Sequence, residues 1–368
     1  MFLAHAASSS VPYVIGSLVE RGYSASRAGL IPSAELTAYA LSMIWWSARI
    51  HRWPVLRPAL IATVVAVAAN LASAIADSYS MLMVARVVAG GAFGTLYSAV
   101  CAAGSRAASP QRTFTCGSSV MFVCFAAHYT VVGRISEIGG YSAVYEYISV
   151  LGVLGVAALY RLPDGSGDKG RDAPGPWVTR EGRIAAGCIV MSMFCLQSVL
   201  GIYSFSEQLG LRVGMSDSAL GNLLTISVIF STGGGMLAGI CARRFGTLLP
   251  KLSGFVLQGA SCAGLSHCSV METYVVWTLL FNLAWCFTYS LILSDAGALD
   301  RTGRVASAAG AAYVLSYSAA TAAAGLLYQV GGFGLMGWGL CAVCLLGVPA
   351  SIWLQHIRVP QSEPAHPG

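Results

Sequence analysis

Twelve apolar runs, most of them roughly twenty residues long, follow one another along the chain with short turns between them. They fall at 2–19, 28–47, 56–76, 81–103, 113–133, 142–160, 183–205, 217–240, 247–266, 274–297, 305–328 and 334–354. A helix of that length crosses a hydrocarbon core of roughly 30 Å. Only 10% of the 368 residues are charged, against roughly 25% in a soluble domain. So few charges cannot cover a water-facing surface. The chain reads as an all-α membrane protein of twelve transmembrane helices, with the lipid bilayer as its solvent.

The net charge of +6 is spread over the turns instead of forming one face, which speaks for topology and against a nucleic-acid partner. Of the 21 Lys and Arg residues, sixteen lie after even-numbered spans or in the C-terminal tail. Arg49, Arg52, Arg57, Arg243 and Arg244 are among them. Arg21, Arg27, Arg134 and Arg212 lie on the other side, and Arg86 lies inside a span. We call these the basic side and the far side. The bias makes the basic side cytoplasmic, with both termini there. The first apolar run begins at Met1 and reads as a span, not a cleaved leader. The eleven cysteines are scattered through apolar runs, and Cys341–Cys344 read as small buried residues within one. No metal site and no cofactor are expected.

Residues 161–182, "RLPDGSGDKGRDAPGPWVTREG", are rich in Gly, Pro and mixed charge and read as a solvated linker. The linker separates a first bundle at 1–160 from a second at 183–354, followed by a tail at 355–368. The two halves repeat. "GYSASRAGL" at 22–30 matches "GMSDSALGN" at 214–222, a displacement of 192 positions (214 − 22). The same displacement sets Arg52-Trp53 on Arg244-Phe245, Tyr97-Ser98 on Tyr289-Ser290, Arg112 on Arg304, and Gly139-Gly140-Tyr141 on Gly331-Gly332-Phe333. Reuse of Gly, Ser and Arg in turns explains residue types but not a constant register. Two homologous six-helix bundles imply an axis along the membrane normal and a site where the halves meet. By the same displacement Met1 falls on Met193, about ten residues into the seventh span, so the first span is short at its start. It starts at the membrane surface, or the true start codon lies upstream.

Two parallel six-span halves, a central linker and basic turns after spans two and eight resemble the major facilitator superfamily, of the bacterial type. "GGGMLAGICARRFG" after span eight is similar to the superfamily's G-x-L-A-D-R-x-G-R-K turn, through Gly235, Leu237, Ala238, Arg243, Arg244 and Gly246; the Asp is absent. Arg86 and Gly90 in span four follow its R-x-x-x-G pattern. The proline-and-glycine antiporter motif is missing from span five, which counts against a drug/proton antiporter. The resemblance implies two pseudo-symmetric bundles and a cavity walled by spans one, four, seven and ten. Candidates there are His5, Tyr97, Gln197, Tyr203, Asn282, Trp285 and Tyr289. The Gly90/Gly94 and Gly235/Gly239 steps permit close helix contact.

Ionisable residues inside a membrane are costly and suggest function. Glu35 lies about seven residues into span two from the far side, roughly 10 Å deep. Arg86 and His128 lie at similar depth in spans four and five. The resemblance places those spans together, so Glu35, Arg86 and His128 are expected to form a proton-coupling cluster; a static ion pair is the alternative. Asp295 ends span ten near the expected position of Arg243 and Arg244, with Arg52 in the equivalent turn. These four are expected to gate the basic side, with an Asp295–Arg243/Arg244 ion pair that latches it in the outward-open state and breaks on opening; an ordinary interfacial charge pair is the alternative.

No H-E-x-x-H, intramembrane protease signature or paired acidic metal site speaks for an enzyme. The expectation is a monomeric secondary transporter in the plasma (inner) membrane, taking up an anionic or zwitterionic small molecule with protons. Export of a lipophilic compound by proton antiport, or a non-transporting sensor on the same fold, are the alternatives.

Overall fold

The computed structural model describes residues 2–47, 49, 55–105, 110–159, 179–300 and 304–357. Arg52, most of the linker and most of the tail lie outside them, as does the side chain of Arg112. Helix α1 is Phe2–Glu20, α2 Ala25–Ser47, α3 Leu56–Ala74 and α4 Tyr79–Ser105. The helical stretch Pro110–Leu159 turns back at Gly140, giving α5 (110–139) and α6 (141–159). Helix α7 runs in three pieces, Arg180–Gln197, Leu200–Ser204 and Ser206–Arg212. Then come α8 Asp217–Phe245, α9 Leu248–His267 and α10 Met271–Leu299. The stretch Arg304–Leu345 turns back at Gly331 and Gly332, giving α11 (304–330) and α12 (333–356). Among the described residues, eight helical segments are long and apolar enough to cross a membrane. Two of these hold two passes each, and α2 and α9 supply the others. Both fall short in hydropathy because they are seeded with polar residues, Glu35 in one and Lys251 in the other.

The sequence duplication is a duplication of backbone geometry. Gly22 and Gly214 both have positive φ, 89° and 80°, and so do Gly140 and Gly332, 58° and 65°. A side chain is strained in that region, so glycine is required where each helix turns. The Tyr23 amide donates to the Leu18 carbonyl at 3.1 Å, and the Met215 amide donates to Gly210 at 2.9 Å. Ser24 Oγ then caps α2 by accepting from the Arg27 amide, and Ser216 Oγ caps α8 from Ala219. Each of these pairs is related by 192 positions.

The two bundles meet on the far side through glycine. A Cβ on Gly29 of α2 would lie 2.8 Å from the Thr321 carbonyl of α11, and one on Gly325 would lie 2.5 Å from Ala25. The α5–α8 crossing repeats this. Gly133 abuts Asp217 and Gly221 abuts Tyr129. Gly29 maps on Gly221 and Gly133 on Gly325, so both crossings obey the same two-fold. Hydrogen bonds join the bundles from the far-side surface inward: the Ser218 amide to Glu137 at 2.8 Å, Thr130–Thr225 at 2.8 Å and Thr37–Ser318 at 2.7 Å. Within the bundles, Gly90 and Gly94 abut the α2 backbone at Glu35 and Tyr39, as expected. On α8 the tight contact belongs to Gly234, against Leu283. Gly235 makes ordinary contacts and Gly239 none.

Helix α1 breaks at Ser10 because Pro12 has no amide hydrogen to give to the Ser8 carbonyl four residues back. Inside a membrane a freed carbonyl needs another donor. The Tyr317 hydroxyl of α11 supplies it, donating to Ser8 at 3.0 Å, and the Tyr203 hydroxyl of α7 donates to Ser9 at 2.8 Å. A proline in one bundle thus creates acceptors for the other.

Candidate functional site

A central cavity of about 290 Å³ lies between the bundles. The glycine crossings close it on the far side, and its walls reach toward the basic side as far as Met43, Met121 and Gly310. Six of the seven expected residues line it: His5, Tyr97, Tyr203, Asn282, Trp285 and Tyr289. The seventh, Gln197, stands behind the wall, where its side-chain oxygen accepts from Trp285 Nε1 at 2.9 Å. That bond fixes the indole, which stacks on Tyr289 at 5.4 Å and 12°. His5 forms a three-ring cluster with Tyr39 and Tyr97, 5.9 and 5.0 Å away, whose own rings are 6.2 Å apart.

Spans two, five, eight and eleven also contribute, which the sequence reading missed. Tyr39, Phe125, Tyr129, Ser231, Tyr313 and Tyr317 line the cavity from them. The 192 shift would have found several. Tyr39 pairs with Ser231, Met121 with Tyr313, Phe125 with Tyr317, and Tyr97 with Tyr289, and all eight line the same space. No acidic or basic side chain other than His5 lines it among the described residues.

Glu35 and Arg86 do meet, with Arg86 Nη1 3.5 Å from Glu35 Oε1. Arg86 is wholly buried, 0% exposed. Its Nε donates to Ser73 Oγ at 2.9 Å, its Nη2 donates to Asn70 Oδ1 at 2.8 Å and to the Ala69 carbonyl at 3.2 Å, and its guanidinium lies 4.0 Å from the Tyr145 ring centre. These partners tie α4 to α2, α3 and α6, all within the first bundle. Neither residue of the pair lines the cavity.

His128 does not join that pair. Its Nε2 lies 3.1 Å from Ser10 Oγ, and its ring stacks on Tyr147. Depth along a helix is readable from sequence, but rotation about the helix axis is not, and α5 turns His128 toward the break in α1. The expected latch pair is not formed in this conformation. Asp295 pairs with Lys251 at the start of α9, in its own bundle. Lys251 is nearly inaccessible, 1% exposed, whereas Arg243 and Arg244 are exposed and Arg244 lies over Phe245. The buried Lys251 ammonium is cut off from water and needs the half-buried Asp295 carboxylate as its partner, whereas the exposed arginines are solvated.

A family model described as Major Facilitator Superfamily matches residues 1–322. The chain belongs to this superfamily. Membership makes it a multi-pass membrane protein and places it among secondary transporters. The nucleoside transporter NupG shares its fold, with a TM-score of 0.77 and 11% identity over 97% of each chain. So does a D-xylose-proton symporter, at 0.75 and 13% over 98% of this chain and 96% of that one. A bacterial homologue of the human lysosomal transporter Spinster, in an inward-facing and occupied conformation, matches at 0.72 and 12% over 97% and 92%. No curated protein sequence matches the chain. At these identities the likeness carries the fold, and the solute has to be argued from the cavity.

Proposed function

We propose that this superfamily member carries a small, uncharged, planar organic solute by alternating access, with protons as the coupling ion. The protein sits in the plasma (inner) membrane with the basic side and both termini in the cytoplasm, so the conformation described above is open inward. The lining of the cavity carries this reading. Its aromatic faces suit a flat solute, and its Tyr, Ser and Asn groups suit a few hydrogen bonds. The anionic or zwitterionic solute expected from the sequence rested on Arg86 facing the cavity. With Arg86 elsewhere and fully engaged, a charged solute would be stripped of water and left unpaired. Two of the structural relatives are named for a nucleoside and for D-xylose with a proton, and both solutes are uncharged. The Glu35–Arg86 pair acts on helix packing in the first bundle and not on the solute. The apolar part of the lining equally accepts a lipophilic compound leaving the cell, and net direction then follows the coupling gradient.

Proteoliposomes with an imposed pH gradient test this. Uncharged aromatic heterocycles should show saturable uptake accompanied by proton movement, and organic anions of the same size should not. Trp285→Ala should weaken half-saturation about tenfold, near 1.4 kcal/mol of lost stacking and contact. Uptake of the anions in preference to the neutral compounds would overturn the reading.

A further inference from the structure

Glu207 lies in the last piece of α7, on the far side, and its side chain is 2% exposed. Its Oε2 has no hydrogen-bond partner. The carboxyl group is seated against Gly16 of α1 in the opposite bundle, in space a Cβ there would occupy. The titratable groups that face it are Tyr13 and Glu20 from α1, Asp217 from α8 and Tyr274 from α10, whose hydroxyl is donated to the Ser206 carbonyl at 2.7 Å. Beyond Asp217 stand Ser136 and Glu137 of α5. The arginines nearby are turned away. Arg212 donates to the Ser266 carbonyl, and Arg21 donates to the Tyr141 hydroxyl. No basic side chain acts on Glu207 among the described residues. No three ligating side chains gather for a metal among them either. The equivalent position in the first half is Ile15, so the repeated fold does not call for a carboxyl group there.

An ionised carboxylate buried without a partner costs more than a marginally stable interface supplies, and such a group takes a proton instead. The burial exists because two bundles have closed over it. When they part on the far side, Gly16 withdraws, water reaches the carboxyl group, and ionisation is no longer opposed. We propose that Glu207 is a proton-binding site that links closure of the far side to uptake of one proton from that compartment. On closing, the carboxylate accepts a proton from far-side water and enters the interface as the neutral acid. On reopening, it returns the proton. Low pH on the far side therefore favours the closed state, and the preference is lost as pH rises. This deepens the proton-coupling reading above and rests on it for its use in transport.

The test uses the full chain in lipid nanodiscs, without solute. Spin-label amino acids are incorporated at Ile138 and Val330, exposed positions in the far-side turns of the two bundles. Electron–electron distances are measured from pH 5 to 9, in sodium and in choline buffers. The closed fraction of the unaltered chain should fall at least tenfold as pH rises, with the same midpoint in both buffers. Glu207→Gln should stay closed throughout, and Glu207→Asp should respond with a displaced midpoint. A Glu207→Gln response like that of the unaltered chain, or a response that follows sodium at fixed pH, would overturn the proposal. Solute uptake without proton movement would sink the coupling reading alone, because the distances report closure directly.

Discussion

Gly325→Leu should hold the far side open and bring solute flux to background in a chain that still folds. The Ala25 carbonyl that a side chain at Gly325 would strike belongs to the other bundle, so the clash exists only when the bundles close. Overpacking of a tight contact costs about 1–3 kcal/mol, which changes the closed-to-open ratio roughly 5- to 150-fold. Gly29→Ala and Gly221→Ala strike the equivalent carbonyls at the two separate crossings. Their costs should add because the crossings share no partners, so the double substitution should lose flux as the product of the single losses. Transport in proteoliposomes reads the effect, and melting temperature in detergent separates it from misfolding. A Gly325→Leu chain with normal flux would mean that the far side does not close through this contact.

The second large effect is on stability. Arg86→Ala leaves Glu35 without its charge partner and leaves Asn70 Oδ1 and Ser73 Oγ without their guanidinium donor, all in a wholly buried site. Breaking a buried pair in this way costs about 3–5 kcal/mol. The melting temperature should fall by many degrees and the yield of folded protein with it. Glu35→Gln keeps a hydrogen-bond acceptor beside Arg86 and should cost less. Arg86→Ala combined with Glu35→Ala should be more stable than Arg86→Ala alone, because the stranded carboxylate is gone. If Arg86→Ala melts like the unaltered chain, the pair is not what ties α4 to its neighbours.

The spans and their duplication were legible because both rest on one-dimensional signals. Charges are so rare that each turn stands out, and the positive-φ glycines at 22, 140, 214 and 332 mark turns that only glycine fills comfortably. The cavity was half legible. Candidates drawn from spans one, four, seven and ten mostly face it, but Tyr39, Tyr129, Tyr313 and Tyr317 stand on spans two, five and eleven, from which none was drawn. His128 faces Ser10 instead of the Glu35–Arg86 pair, and Asp295 here meets Lys251, since azimuth and neighbouring helices are properties of packing. Lys251 was counted as a topology charge, although α9 buries it against Asp295. Glu207 escaped notice because the apolar run of span seven ends near Phe205, while the helix resumes and continues to Arg212.

The central claim is that two related bundles expose one cavity to one side at a time. Ser8→Cys places a thiol in the wall of that cavity, and labelling by a membrane-impermeant maleimide added to either side of oriented proteoliposomes, read by peptide mass spectrometry, measures which side it faces. The account predicts labelling from the basic side in the closed-far-side state and a switch to the far side when Gly325→Leu is added. Equal labelling from both sides in a single state, as in a channel, would contradict it.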